Sequence, residues 1–187
     1  HEAEQVSPHA CVINNQLCDY PTKSLSGVGM VYKFCSFIDE LMNVDYADQF
    51  LDLVALGMIA DMMDLRDFET KHLINRGLEN IRNPYFKGMV DKQSYSLKDG
   101  ITPIGVAFYI APLINAITRV GTIKEKETMF YAFIEPNRVV QSTKRGAKEG
   151  DTETAAGQTA RVGANAKNRQ NKIKEKALDL IDFKIQK

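Results

Sequence analysis

Cysteine is scarce in this chain, and nothing in it looks built to staple or anchor. The 187 residues hold three cysteines, Cys11, Cys18 and Cys35. An odd number with no CxxC or Cys/His spacing argues against a disulfide frame and against a structural zinc. A reducing, cytoplasmic setting is the expectation. No uninterrupted apolar run reaches the roughly 18 residues that a membrane-spanning helix needs, and the first residues lack the pattern of a signal peptide. No membrane partner is therefore expected. Internal repeats and low-complexity tracts are also missing. Net charge is zero, from 24 basic and 24 acidic residues. The first residue is His1 rather than methionine, which reads as a fragment, a processed chain or a trimmed one.

What remains is the composition of an ordinary soluble protein, with 44% hydrophobic and 26% charged residues. The length suits one domain with a real core, or one domain plus an extension. The charges are segregated. Between Asp39 and Glu69 nine acids face one base, Arg66, and between Arg138 and Lys176 ten bases face four acids. That asymmetry points to a region able to hold cations and a separate surface able to hold anions, or to two solvated faces of opposite sign.

The stretch Asp52-Leu53-Val54-Ala55-Leu56-Gly57-Met58-Ile59-Ala60-Asp61 is the most informative. It sets a carboxylate at each end of an almost wholly apolar segment. A carboxylate at the end of a buried segment needs a cation, a metal or a set of donors. The plainer reading is that Asp61 caps the next helix. Upstream, Ala10 to Ile13 reads as a short strand, and Leu17 to Ser26 as a loop. A helix follows, with Ser24 or Ser26 as its cap and Val28, Val31, Phe34, Cys35, Ile38, Leu41 and Met42 as its apolar stripe. Gly27 and Gly29 at its start allow close approach of an anion or of another backbone. Further helices are expected over about Tyr46 to Met58, Phe68 to Ile81 and Thr122 to Ile134, with a short one over Tyr85 to Val90. Phe68, Ile74, Leu78 and Ile81 should face inward in the second of these.

Ile101 to Val120 opens like a strand at Val106 to Ile110, breaks at Pro112, and continues as a helix. Asn115 and Arg119 are four apart and share one helical face. Arginine is the usual choice for bidentate phosphate or carboxylate binding. A phosphate contact and a pairing with a core carboxylate are both open. Val139 to Ala156 reads as an exposed polar loop. A long basic helix follows from about Thr159. Its stripe is Ile173, Ala177, Leu180, Ile181 and Ile185, and the part holding Arg161, Lys167, Arg169 and Lys172 should be solvated.

These residues together resemble the DHH phosphoesterases, and among them the RecJ-like single-strand exonucleases. His1-Glu2 looks like the end of the Asp-His-His signature. The segment from Ala10 to Asn15, followed by Cys18-Asp19-Tyr20-Pro21-Thr22-Lys23-Ser24-Leu25-Ser26-Gly27-Val28-Gly29, is similar to the family segment after that signature. Asp52 to Asp61 resembles the family's DLVALGTIAD segment, and Ile110 to Arg119 its aPrINAxGR segment. The resemblance covers residues 1 to about 135, and the basic helix looks like the connector between the family's two domains.

The resemblance implies an α/β fold, a DHH phosphoesterase domain of which this segment is mostly α-helical with a few short strands. Residues 1–136 would be the C-terminal portion of that domain, 137–158 an exposed loop and 159–187 the connector. It also implies a two-metal site of manganese or magnesium that hydrolyses phosphodiester bonds, degrading single-stranded DNA from the 5′ end in repair or recombination. By the same resemblance Asp61 is a metal ligand and catalytic residue, and His1 is catalytic and contacts the scissile phosphate. Asn115 and Arg119 would hold substrate phosphate. Asp52 matches a framework position. Replication or repair proteins are conceivable partners, and the oligomeric state is left open.

Departures accompany the match. The DxD motif, the second-motif aspartate and the Asp-His preceding His1 are absent, as is the DHH-associated domain. Met58, Leu113 and Thr118 stand where the family usually has threonine, arginine and glycine. One metal-ligand aspartate cannot hold two cations, so this chain alone is expected to be inactive. The competing expectations are a phosphodiesterase for oligonucleotides or cyclic dinucleotides, and a non-catalytic nucleic-acid-binding relative.

Overall fold

A computed structural model describes residues 8–185, with side chains described through residue 181. It is mostly helical and carries one two-stranded sheet. The chain divides into two compact units, the second beginning at Arg82.

The first unit is built on α1 (Gly27–Met42), α2 (Leu51–Ala60) and α3 (Phe68–Glu79), with a 3-10 turn at Ala47–Phe50 ahead of α2. α1 ends because Asn43 takes the left-handed conformation, φ 53°, and the Val44 N–H reaches back to the Asp39 carbonyl at 3.0 Å. The Asp39 carboxylate then accepts from the Tyr46 and Ala47 N–H groups, which starts the 3-10 turn. α2 is apolar nearly all round, and helices of that kind are central. Leu51, Val54, Ala55, Leu56, Met58 and Ile59 are all buried. Gly77 of α3 lies so close to α2 that a Cβ there would overlap the Leu51 carbonyl oxygen and sit 2.6 Å from Ala55 Cβ. A Cβ on Gly57 would be 2.6 Å from Val28 Cγ1 of α1. Two glycines thus set how closely the three helices approach.

Several expectations change here. Ala10 to Ile13 is not a strand; Val12 and Ile13 are exposed in irregular chain. In α1 only Gly29 is fully buried, and Val31, Phe34, Leu41 and Met42 are exposed, because within this unit only part of the expected stripe meets α2. Phe68, expected inward, is 84% exposed and stacks on His72, since as the first residue of α3 it precedes the turn that touches α2. Ile74 and Ile81 are buried as expected, and Thr70, Leu73 and Gly77 complete the buried face.

The second unit contains α4 (Pro84–Lys92), a helical run from Pro103 to Val120, α7 (Ile123–Ile134), the strands β1 (Val139–Gln141) and β2 (Thr152–Thr154), and α8 (Ala155–Ile185). Asn83 opens α4 rather than closing α3: its Oδ1 accepts from the Tyr85 and Phe86 N–H groups, with Pro84 in the first helical position. Thr122 and Glu125 form a reciprocal capping box on α7.

The expected strand at Val106 to Ile110 is instead a π-helical segment. It lies between the single turn α5 (Pro103–Gly105) and α6 (Ala111–Val120). A short apolar run does not distinguish a buried strand from a buried helix. Pro112 lacks an N–H and crowds the preceding turn. The Ala111 N–H bonds the Val106 carbonyl five residues back, widening the helix just before the proline, so the helix continues through it. The resulting run, Pro103–Val120, is 18 residues of mean hydropathy 1.4 and is long and apolar enough to cross a membrane by length and composition. In this fold α6 packs along α8.

The reading of α8 is reversed. Its buried face is the early one, Ala155, Ala156, Gln158, Thr159, Ala160, Val162 and Ala166, lying against α4, α6 and α7. Small residues permit this approach. A Cβ added to Gly163 would be 3.2 Å from Leu113 Cβ, and one added to Gly88 of α4 would be 3.2 Å from Ala160 Cβ. Of the expected stripe, Ile173, Ala177, Leu180 and Ile181 are exposed, and the side chain of Ile185 lies outside those described. Arg161 and Arg169, expected in solvent, are paired with Glu153 at 2.7 Å and Glu125 at 2.8 Å.

Residues 137–158 are not a plain loop. β1 and β2 pair antiparallel with Val139 opposite Thr154 and Gln141 opposite Thr152. The Glu153 carboxylate holds the hairpin to α8 by accepting from Ser142 Oγ, Thr143 N, Gln158 Nε2 and Arg161 Nη2. Burial alone would raise its pKa, but these donors outweigh burial and hold it below the usual carboxylate range.

Candidate functional site

Asp61 is exposed rather than buried, and the helix end explains why. It is the last cap residue of α2. Met62 follows in the left-handed conformation, φ 55°. The Met62 N–H bonds the Ile59 carbonyl at 3.0 Å and the Met63 N–H bonds the Met58 carbonyl at 3.1 Å. This is a Schellman ending, built on a methionine where glycine is usual. It turns the chain sharply and leaves the Asp61 side chain outside the α2 core. The alternative reading, that Asp61 caps the next helix, is not what forms; Asp67 caps α3 by accepting from the Thr70 N–H. The buried carboxylate of the segment is Asp52, 3% exposed, whose Oδ1 accepts from the Leu53 N–H.

Most acids of the stretch from Asp39 to Glu69 serve the fold. Asp48 accepts from Tyr32 at 2.6 Å and pairs with Arg76 at 2.8 Å. Arg66, through side-chain and then backbone hydrogen bonds, holds the exposed Asp64 carboxyl down to about 2. Asp61 instead lines an open groove of about 650 Å³, together with Asn14, Asn15, Ser26, Gly27, Met30 and neighbouring apolar residues.

Part of the groove wall is the loop before α1, and it is firmly held. Asn15 is buried and donates from Nδ2 to the Thr22 carbonyl at 3.0 Å. Thr70 Oγ1 of α3 donates to the Ser24 carbonyl at 2.9 Å. Tyr20 OH donates to both oxygens of Glu69, at 2.8 and 2.9 Å, and Lys33 of α1 pairs with Glu69 at 2.8 Å. Burial would raise the Glu69 carboxyl. Its hydrogen bonds from Lys33, Tyr20 and Thr22 more than offset that and lower it below its ordinary value. Lys33 is correspondingly raised, first by its hydrogen bond to Glu69. These contacts were invisible in the sequence, where Tyr20 and Glu69 stand 49 residues apart; the signal that could have found the wall is the polar pair Asn14-Asn15 after an apolar stretch.

Asn115 and Arg119 lie in the second unit, both exposed, on α6. Arg119 has no carboxylate partner among the described residues, so a pairing with a core acid is not what the fold makes of it. His1 lies outside the described residues. Among the described residues no group of three or more His, Cys, Asp or Glu side chains could hold a metal ion. Asp61 by itself is a single carboxylate, and the described residues do not fit a two-metal centre.

No family model matches the chain, and no solved structure matches it. Among curated proteins, it is 44% identical over 178 residues to a protein of Bacillus subtilis (strain 168) named putative SPbeta prophage-derived single-strand DNA-specific exonuclease YorK. The same figures hold for the putative single-strand DNA-specific exonuclease YorK of Bacillus phage SPbeta. The chain is 36% identical over 110 residues to the single-stranded-DNA-specific exonuclease RecJ of Bacillus subtilis (strain 168), covering 55% of this chain and 13% of that protein. The match to the two YorK proteins covers 95% of this chain but only 31% of their length.

Proposed function

We propose that this chain is part of a metal-dependent phosphodiesterase that degrades single-stranded DNA from the 5′ end, in DNA repair or recombination. The observation that carries the reading is the 44% identity, over nearly the whole chain, to proteins named single-strand DNA-specific exonucleases. The exposed Asp61 in its groove supports it, as a carboxylate the fold does not consume. In this reading the segment belongs to a DHH-type domain. Asp61 is one ligand of a manganese or magnesium pair whose other ligands lie outside the described residues, and His1 contacts the scissile phosphate. Hard oxygen donors suit those cations. Arg119 offers a fixed fork to phosphate oxygens, with Asn115 one helical turn away.

The test is a nuclease assay on the intact protein that carries this chain, with 5′-labelled single-stranded DNA and manganese. Asp61→Ala should lower the rate at least about 100-fold, given the several kcal/mol a metal centre contributes, with an unchanged melting temperature. Full activity of Asp61→Ala would overturn the assignment. A second reading, a non-catalytic nucleic-acid-binding segment, is favoured by one observation: the lack of a three-ligand metal cluster among the described residues. It predicts strand binding without turnover even in the intact protein.

A further inference from the structure

Ser26 occupies the N-cap position of α1, where a serine ordinarily accepts a hydrogen bond from an N–H of the first turn. Here it makes no such bond. It is 6% exposed, lies in the wall of the Asp61 groove, and its Oγ has no hydrogen-bond partner among the described residues. A buried hydroxyl without a partner is costly and asks for an explanation. The N–H groups of Gly27, Val28 and Gly29 belong to the first turn and have no acceptor within the helix. No acid stands in that turn to satisfy them or to oppose a bound anion. Gly27 is exposed on the groove, and a Cβ there would meet nothing within 4 Å, so the backbone is open to close approach. α1 is 16 residues long, and its macrodipole adds positive potential at this end.

We infer that Ser26 and the first turn of α1 form a seat for a single phosphate group, which in the proposed function is a backbone phosphate of the strand lying in the Asp61 groove. The inference rests on that functional reading only for the identity of the ligand. The unpartnered Ser26 hydroxyl donates to a phosphate oxygen, and the first-turn N–H groups donate to others. Asp61, on the same groove, repels a phosphate placed directly against it, so the seat fixes where along the groove the strand's charge can rest. The loop that carries Ser26 is held by Asn15, Tyr20 and Glu69, so the backbone of the seat is in place before any ligand arrives, and the covered Ser26 hydroxyl has only to turn about its Cα–Cβ bond to reach it.

The experiment uses two probes on the chain and on Gly27→Glu. Glutamate in the first turn favours the helix itself while placing a negative charge on the seat, so folding is kept and anion binding is opposed. Inorganic phosphate is titrated while the backbone amide signals of Gly27, Val28 and Gly29 are followed by NMR. A labelled oligothymidylate is titrated in the presence of a chelator, with anisotropy as the readout. In the parent chain phosphate should shift those three amides. In Gly27→Glu the shifts should vanish and oligothymidylate affinity should fall about tenfold, equivalent to roughly 1.4 kcal/mol. Ser26→Ala should weaken phosphate binding without lowering the melting temperature, since it removes an unpartnered buried hydroxyl. Phosphate shifts without any oligothymidylate binding would support the seat and count against the nuclease reading. If phosphate leaves the three amides unmoved, or Gly27→Glu binds both probes as the parent does, the seat is refuted.

Discussion

Gly77→Ala is the sharpest test of the architecture that presents Asp61. The two expected effects have opposite sign. Alanine in a helix interior is favoured over glycine by about 0.8–1 kcal/mol. Against that, the new methyl would overlap the Leu51 carbonyl oxygen and lie 2.6 Å from Ala55 Cβ. Backbone cannot swing aside as a flexible side chain would, so α2 and α3 must separate, and overpacking of this kind costs typically about 1–3 kcal/mol and occasionally more. With the clash at or beyond the upper end of that range, the net result is a loss of about 2 kcal/mol. For a unit of this size that lowers Tm by roughly 8–16 °C. Thermal and urea unfolding followed by far-UV circular dichroism would measure it. Gly27→Ala is the control, because its Cβ meets nothing within 4 Å; it should be neutral or stabilise by up to about 1 kcal/mol. If Gly77→Ala is as stable as the parent, or more so, the close α2–α3 approach is wrong, and with it the placement of Asp61 at the end of a rigid central helix.

Three further outcomes are expected. Glu69 is held below its ordinary value in the folded chain, so its contribution to stability is complete above about pH 4.5 and is lost as pH falls from there; Glu69→Gln should lose about 1–2 kcal/mol at neutral pH and flatten the acid limb of a stability–pH curve. Met62→Gly relieves a left-handed methionine and should raise stability by about 0.5–1 kcal/mol, read from the urea midpoint, whereas a loss would mean that the Schellman ending is not formed. Glu153→Ala removes the acceptor shared by Ser142, Thr143, Gln158 and Arg161; the 139–154 hairpin should become protease-sensitive, with a loss of about 2–3 kcal/mol, and unchanged cleavage would show that the hairpin is held by other means.

The sequence by itself determined the features that depend on neighbours along the chain. Asn83-Pro84 specified a helix boundary, and the apolar run from Leu53 to Ala60 a buried helix, because breakers and periodicity are local in sequence. The likeness to the single-strand exonucleases was also legible, since it rests on the order of residue types around Asp61, Asn115 and Arg119. Tertiary structure alone decided which faces are covered. The large apolar residues of α1 and of late α8 read as core yet are exposed, while the small Ala155, Ala160 and Ala166 are buried. Hydrophobicity favours burial, but close helix approach selects small side chains, and which of the two prevails depends on what stands opposite. The same holds for the carboxylates: Asp52 and Asp61 end the same segment, yet packing around the first turn of α2 buries Asp52, while the left-handed turn at Met62, beyond the reach of any periodicity, leaves Asp61 in the groove.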